Sequence, residues 1–330
     1  MELREVPVPE IKTGEVLVEV AACGICGTDL KIREDHFVYD PPVIMGHEFS
    51  GIIREVDGCV RGWNPGDRVV AEQHFLSCGT CGFCLTGKRQ FCPEKRSPGY
   101  YSQGAFTRYI AVESSLLHRV PDAVSLEEAA LVEPLGIAAY GILGKARVNP
   151  GDFVVILGSG PIALMALQLV RSCGAGQVVM TGLDADEKVR FAKAREFGAN
   201  RTINTQKDDA LQVVLRLTAG RGADLVVDLS GAAPAILSGF RMLKKDGRFC
   251  AIGLPPKGIE LPWPELVLRA QTLFFSYSSD YASWEACLAL LEQKKINTSG
   301  FCDHIHPLEA WEVAFGTAQR GEALKVILKP

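Results

Sequence analysis

Residues 153–170 read FVVILGSGPIALMALQLV. A short apolar strand, Phe153–Leu157, runs into Gly-Ser-Gly-Pro and then into a helical stretch from Pro161 to Cys173. The 18 residues carry no charge, yet the break splits them after five, and each half is too short to span a bilayer. The break holds G-x-G-x-x-A at Gly158, Gly160 and Ala163. The first glycine permits a tight turn, the second lets the backbone approach a pyrophosphate, and the small third residue allows close packing of helix on strand. Ser159, Pro161 and Ile162 complete the candidate phosphate-binding segment, whose unpaired N–H groups at a helix N-terminus suit an anion. A Gly-rich turn alone is weak and can be purely structural. Here it follows an apolar strand and opens a helix, the context a dinucleotide site requires.

Downstream, strand and helix patterns alternate. QVVMT (177–181) precedes a helix around 186–197, RTIN (201–204) one around 208–218, and ADLVVDL (223–229) one around 233–244; RFCAIG (248–253) and TLFFSYS (272–278) close the series. Six short apolar strands linked by helices predict an α/β fold with a doubly wound parallel sheet. Gly253, Leu254 and Ser276 are further candidate cofactor contacts. The ribose-binding acid is expected at the end of the second strand. Gly182 stands there, and Asp184 follows two residues later in TGLDADEKVR. Asp184 on the ribose hydroxyls implies NAD; without an acid at 182, Lys188 and Arg190 suit the extra phosphate of NADP. A third reading has Asp184, Asp186 and Glu187 serving only the helix dipole.

Upstream, residues 1–134 are Gly- and Pro-rich with short strands such as EVLVEV (15–20) and GDRVVAE (66–72), the texture of an irregular β-barrel-like domain. The tail, 281–330, carries helices around 284–293 and 309–319 and a last strand, LKVIL (324–328). At 330 residues the chain is long enough for two domains. With 47% hydrophobic and 22% charged residues it reads as globular, and a net charge of −4 gives no basic face for nucleic acid. MELREVPVPE lacks a basic n-region and an apolar h-region, so no signal peptide is expected. Eleven cysteines without an export signal suggest the cytoplasm, where clustered thiols hold metal rather than form disulfides.

Four of those cysteines, Cys78, Cys81, Cys84 and Cys92, lie in CGTCGFCLTGKRQFC. Zinc takes tetrahedral thiolate sets, and a closed four-sulfur site is structural. The alternative is four unliganded surface thiols, an oxidation liability. CGICGTD (23–29) and GHEFSG (46–51) supply Cys26, Thr28, His47 and Glu48. Mixed S, N and O ligands with one position open are the catalytic pattern for zinc. Because His47 and Glu48 are adjacent, a flat strand would turn them to opposite faces. Both reach one ion only from a turn or helix start, or with one acting through water. Taken singly, Cys26 reads as a buried thiol and His47 as an ordinary histidine.

Together these segments resemble the zinc-dependent medium-chain dehydrogenase/reductase family, in its sorbitol (polyol) and threonine dehydrogenase branch. The resemblance spans nearly the whole chain, from GEVLVEVAACGICGTDL through GHEFSG, NPGDRV, the four-cysteine lobe, GAFTRY, LVEPLGIAAYG and VVILGSGPIA to LKVIL. It implies a GroES-like catalytic domain over 1–134 with a structural zinc lobe at about 76–95, a Rossmann domain over 135–280, and a return to the catalytic domain over 281–330. Cys26 and His47 would bind the catalytic zinc. Glu48 would be a ligand or swing in during turnover. Glu133 in VEPL stands where alcohol dehydrogenases place a third cysteine, binding directly or through water. Thr28 would relay the substrate proton. Lys31 occupies the place of a relay histidine in many relatives, which usually also carry a further strand before ELREVPVPE.

The implied activity is oxidation of a secondary alcohol, a polyol or an amino alcohol such as threonine, with hydride transfer to NAD(P). An NADP-dependent primary alcohol dehydrogenase or aldehyde reductase is the nearest alternative. A non-catalytic cofactor sensor or structural relative could dispense with Cys26, Thr28 and His47, all of which are present. Enoyl and quinone reductases of this fold usually lack both zinc sets. Specificity is expected from the loops near 36–42, 97–102 and 254–264. A homodimer or homotetramer is expected, with TLFFSYS a strand able to pair across subunits.

Overall fold

Thirteen strands, numbered β1 to β13 in chain order, form two sheets in a computed structural model that describes residues 1–330. The chain folds as two units, one around each sheet. The first comprises Met1–Pro134, Ser279–Lys294 and Thr298–Pro330; the second comprises Leu135–Ser278 and Lys295–Asn297.

The first unit is built on β1 (Glu15–Gly24), whose valines at 16, 18 and 20 are buried in one core with Phe49, Ile53 and Val69. β1 pairs antiparallel with β2 (Glu48–Val56), β4 (Tyr109–Glu113) and β13 (Val326–Lys329). β3 (Arg68–Ala71) and β5 (Leu117–Arg119) extend the sheet beyond β2, and β12 (His304–Pro307) extends it beyond β13. Register matters for the site: Gly24 lies opposite Glu48 on one side and Ile327 on the other.

The second unit holds β6 (Phe153–Leu157), β7 (Gln177–Gly182), β8 (Arg201–Asn204), β9 (Ala223–Asp228), β10 (Leu243–Ala251) and β11 (Thr272–Phe275). Their order is β11-β10-β9-β6-β7-β8, and every neighbouring pair is parallel. Counted from β6 this is the doubly wound order 3-2-1-4-5-6, as expected. β6 shows no alternation because it is buried on both faces.

Several element boundaries differ from expectation, and two of them show a local cause. β10 begins at Leu243, because KKDG forms a bulge: Leu243 pairs with Ala223, Arg248 pairs with Leu225, and Asp246 takes φ +58° between them. The helix expected from 186 begins at Arg190, because Asp186 Oδ2 accepts the Leu183 N–H at 2.8 Å and closes a separate turn first. One helical stretch, Leu126–Ala146, is long and apolar enough to cross a membrane, but 78% of its apolar window is buried in the fold.

Candidate metal centres and dinucleotide loop

Cys26 caps the helix Gly27–Arg33, and Asp29 in its first turn accepts the Cys26 N–H at 2.8 Å. The other Asp29 oxygen lies 3.7 Å from His47 Nδ1, and both side chains are buried. One carboxylate therefore fixes the backbone of one candidate ligand and faces the ring of another. That leaves His47 Nε2 for a metal, an arrangement in which the carboxylate raises the basicity of the imidazole.

His47 and Glu48 can share an ion because His47 lies before the strand and Glu48 is its first residue. Gly46 takes φ +92° just before them, and β2 starts at Glu48. The ligand atoms of Cys26, His47 and Glu48 all lie within 4.8 Å of one another. Tyr100 packs edge-on against the His47 ring, 5.8 Å between centroids. Thr28 is half-buried on the helix that Cys26 caps, and Lys31 is exposed further along it.

Glu133, at the start of the helix Val132–Ala139, is buried but outside that three-residue group. It accepts a hydrogen bond from Gln73 Nε2. Burial pushes its carboxyl up to about 7. For His47, burial works against the charged ring, but Asp29 and Cys26 outweigh it and raise the imidazole well above its ordinary value. Lys325 forms an ion pair with Glu48 deep in the unit. Burial opposes its charge, and Glu48 with Cys26 more than offsets this.

These residues suit a divalent cation. Glu48, Glu133, Asp29 and a Cys26 thiolate face the two ammoniums of Lys325 and Lys95, both coupled electrostatically to Glu133. Asp29 Oδ1 and His47 Nδ1 are buried without a hydrogen bond, a costly condition.

The four-cysteine lobe is assembled from short turns. Cys78, Cys81, Cys84 and Cys92 place their sulfurs within 4.8 Å of one another, and no cysteine in the chain is in a disulfide. Backbone amides point at sulfur: Cys78 N–H donates to Cys92 Sγ and Cys81 N–H to Cys78 Sγ, each at 3.3 Å. Backbone N–H groups at Thr80 and Cys81 pull the Cys78 thiol down to about 6, which favours the thiolate a metal needs.

In the second unit Gly158 takes φ +98°, and a Cβ there would sit 3.2 Å from the Ser230 backbone. Gly160 caps the helix Pro161–Ser172, and a Cβ there would meet nothing within 4 Å. Packing alone does not require glycine at 160, so the open space suits an approaching ligand. Ser159 and Ala163 are buried, while Pro161 and Ile162 are half-buried. Gly253 and Leu254 follow β10 and Ser276 follows β11, at the carboxyl ends of the strands where doubly wound sheets bind ligands. Ser230, Gly231, Pro255 and Lys257 help line a hollow of about 420 Å³ there. Gly182 is a glycine for packing: a Cβ would lie 2.7 Å from Asp186 Oδ2 and from Phe191. Asp184 is exposed, with Oδ1 2.6 Å from Asn204 Nδ2 and 3.4 Å from Lys207 Nζ.

Residues 12–122 match the alcohol dehydrogenase GroES-like domain, and residues 161–293 match the zinc-binding dehydrogenase domain. A sorbitol dehydrogenase from Halalkalibacterium halodurans is 37% identical over 99% of this chain and 95% of its own length. The chain belongs to the zinc-binding alcohol dehydrogenase family. Within that family an L-threonine 3-dehydrogenase from Bacillus subtilis is 36% identical over 99% of this chain and 94% of its own. A zinc-binding dehydrogenase from Sinorhizobium meliloti 1021, solved bound to NADP, superposes with a TM-score of 0.90 at 27% identity, covering 99% of this chain and 95% of that one.

Three residues near the dehydrogenase's metal cluster escaped the sequence. Asp29 had a signal, an acid three residues after a helix cap. Lys325 had a fainter one, a cation directly before an apolar strand. Gln73 had none.

Proposed function

We propose that this dehydrogenase oxidises a secondary alcohol, a polyol or an amino alcohol such as threonine, with NAD(P) as hydride acceptor. The observation that carries the reading is the convergence of Cys26, His47 and Glu48 on one point, with Asp29 set behind the histidine. The names of the relatives support the substrate class.

In this reading the first unit is catalytic and the second binds the dinucleotide. Cys26, His47 and Glu48 hold the catalytic zinc, with Glu133 close by. When bound, zinc supplies Lewis acidity that lowers the pKa of an alcohol hydroxyl, and the nicotinamide accepts the hydride. Thr28 passes the hydroxyl proton toward solvent. Gly158 to Ile162 present backbone N–H groups to the pyrophosphate, with Gly253, Leu254 and Ser276 as further contacts, and Asp184 takes the ribose. The four-cysteine lobe holds a structural zinc. The edge strand β11, with Phe275 and Tyr277 exposed, pairs with its copy in a homo-oligomer, and free thiols throughout suit the cytoplasm.

The deciding experiment measures zinc content and turnover in parallel. Sorbitol, galactitol, threonine, butanediol and ethanol are offered with NAD and then NADP. Turnover of a secondary alcohol that requires zinc supports the reading; zinc-loaded protein inert toward every secondary alcohol sinks it. Gly160→Val tests the cofactor loop: the melting point should hold while the cofactor KM rises at least about tenfold, the equivalent of 1.4 kcal/mol.

A further inference from the structure

In the second sheet β9 lies beside β6, at the point where the strand order reverses. Doubly wound sheets bind ligands in the crevice outside the carboxyl ends of the strands at such a point. One wall of that crevice is the glycine loop that follows β6. The other is the turn that follows β9, whose last residue is an acid, Asp228. Asp228 is fully buried, and a buried carboxylate is costly unless it is paired or well hydrogen-bonded. Its partners are N–H and O–H groups, not a cation. Oδ1 accepts the Ser230 N–H at 3.0 Å and the Ser230 hydroxyl at 2.6 Å, and Oδ2 accepts the Gly231 N–H at 3.3 Å. The Ser230 oxygen accepts the Ala232 N–H in turn, at 3.1 Å. Burial pushes the Asp228 carboxyl up, and the Ser230 and Gly231 donors pull the other way.

This knot joins three loops. The Leu229 N–H donates to the Leu157 carbonyl at 2.9 Å, tying the turn to the exit of β6. The Asp228 carbonyl accepts the Ile252 and Gly253 N–H groups at 3.0 and 2.9 Å, tying it to the exit of β10. The fit is close on both sides. A Cβ on Gly253 would sit 2.4 Å from Gly231 N and 2.6 Å from Asp228 Oδ2, and a Cβ on Gly158 would sit 3.2 Å from the Ser230 backbone. A displacement of 230–232 therefore reaches the glycine loop on one side and Gly253 on the other. The same turn lines the hollow of about 420 Å³. An ionised carboxylate offers acceptors on both oxygens, whereas asparagine, its isostere, must turn an NH₂ group toward one of the donors.

We propose that Asp228 is a positioning residue for the dinucleotide, fixing the 230–232 turn as the wall of the crevice opposite the glycine loop. This rests on the dinucleotide reading of the second unit. Asp228 acts through the backbone it holds, not on the cofactor itself.

Cofactor binding to the zinc-loaded protein, measured by calorimetry with NAD and then NADP and no alcohol, tests it. In Asp228→Asn the dissociation constant of the cofactor that wild type binds should rise about tenfold or more, as a lost charged acceptor and a misaimed amide imply. Ser230→Ala removes the hydroxyl donor but spares both backbone bonds, and the rise should be about threefold. Val226→Ala, two residues back on β9 and buried in the core, is the control. It should lower the melting temperature through the cavity it leaves, while the dissociation constant stays within about twofold of wild type. If Asp228→Asn melts lower yet binds cofactor as wild type does, the acid is a structural cap and the proposal is overturned. It is overturned as well if Val226→Ala weakens binding as much, because the loss would then follow stability rather than the turn. Should the Asn variant not fold, Ser230→Ala and the same control carry the test, and an unchanged constant there has the same consequence. Wild type that binds neither dinucleotide overturns the cofactor reading and the proposal together, whereas intact binding in Asp228→Asn overturns the proposal alone.

Discussion

The two ligand clusters of the first unit share a chemistry and differ in everything around it. In the lobe, four sulfurs come from one 15-residue stretch, Cys78–Cys92, and are held by turns and amide-to-sulfur contacts. Its set is complete and symmetric. Around Cys26, the donors come from a helix cap and a strand opening some twenty residues apart, and they differ in kind. They are surrounded by buried charged groups, Asp29, Lys325 and Glu133. A closed thiolate set holds a fold together, whereas an incomplete mixed set with tuned neighbours can do chemistry.

The sharpest way to break that contrast is to remove a donor from each cluster. Cys26→Ser or His47→Ala should leave a folded protein that still binds cofactor, with kcat/KM down by about a thousandfold or more. That corresponds to the several kcal/mol a Lewis-acidic metal supplies. Full activity in these variants with zinc verified absent would end the catalytic assignment. Cys81→Ser should do the opposite: activity per folded molecule stays near wild type while stability falls by about 3 kcal/mol, roughly 10 °C in melting temperature. A lobe variant that lacks its zinc yet melts normally would show that the lobe is not a scaffold.

The contrast also explains what the sequence revealed. The lobe was legible because its ligands are close along the chain, so spacing stands in for geometry. The parallel sheet was legible because β6 to β11 repeat one apolar pattern with helices between. The Cys26 cluster was legible in its donors but not in its supports. Asp29 reaches His47 only because Gly46 turns the chain ahead of β2, and Lys325 reaches Glu48 only through the register of three strands around Gly24. Cross-strand register between residues at opposite ends of the chain leaves no local trace. The ribose position stayed open for a similar reason: Gly182 is needed for Asp186 and Phe191 to pack, so its lack of a side chain says nothing about the cofactor.

A smaller test concerns the support behind the histidine. Asp29→Asn should keep the cap on Cys26 but weaken the polarisation of His47. Zinc affinity or kcat/KM should fall about 10- to 100-fold, the range for carboxylates behind a metal-bound histidine. The equivalent change near the lobe has no counterpart, since its sulfurs are supported by backbone. An unchanged Asn variant would make Asp29 a helix cap and nothing more.

The mildest effect lies at His74. Its ring is fully buried, Nε2 sits 2.9 Å from the Ser279 carbonyl oxygen and 3.3 Å from Glu72, and Nδ1 has no hydrogen-bond partner. Burial, reinforced by Lys95 and Arg89, pushes its pKa from 6.5 down to about 3. Backbone hydrogen bonds to Ser279 and Gln73 work the other way and do not reverse this. The folded state thus resists a proton that the unfolded chain accepts. The stability in question is intact above about pH 6.5 and is lost as pH falls toward about 3, at roughly 1.4 kcal/mol per unit. At pH 5.5 the loss is about 1.4 kcal/mol. Urea midpoints between pH 7.5 and 5.5 should therefore fall in the wild type and fall less in His74→Gln. Parallel curves for the two proteins would place the acid sensitivity at a group other than His74.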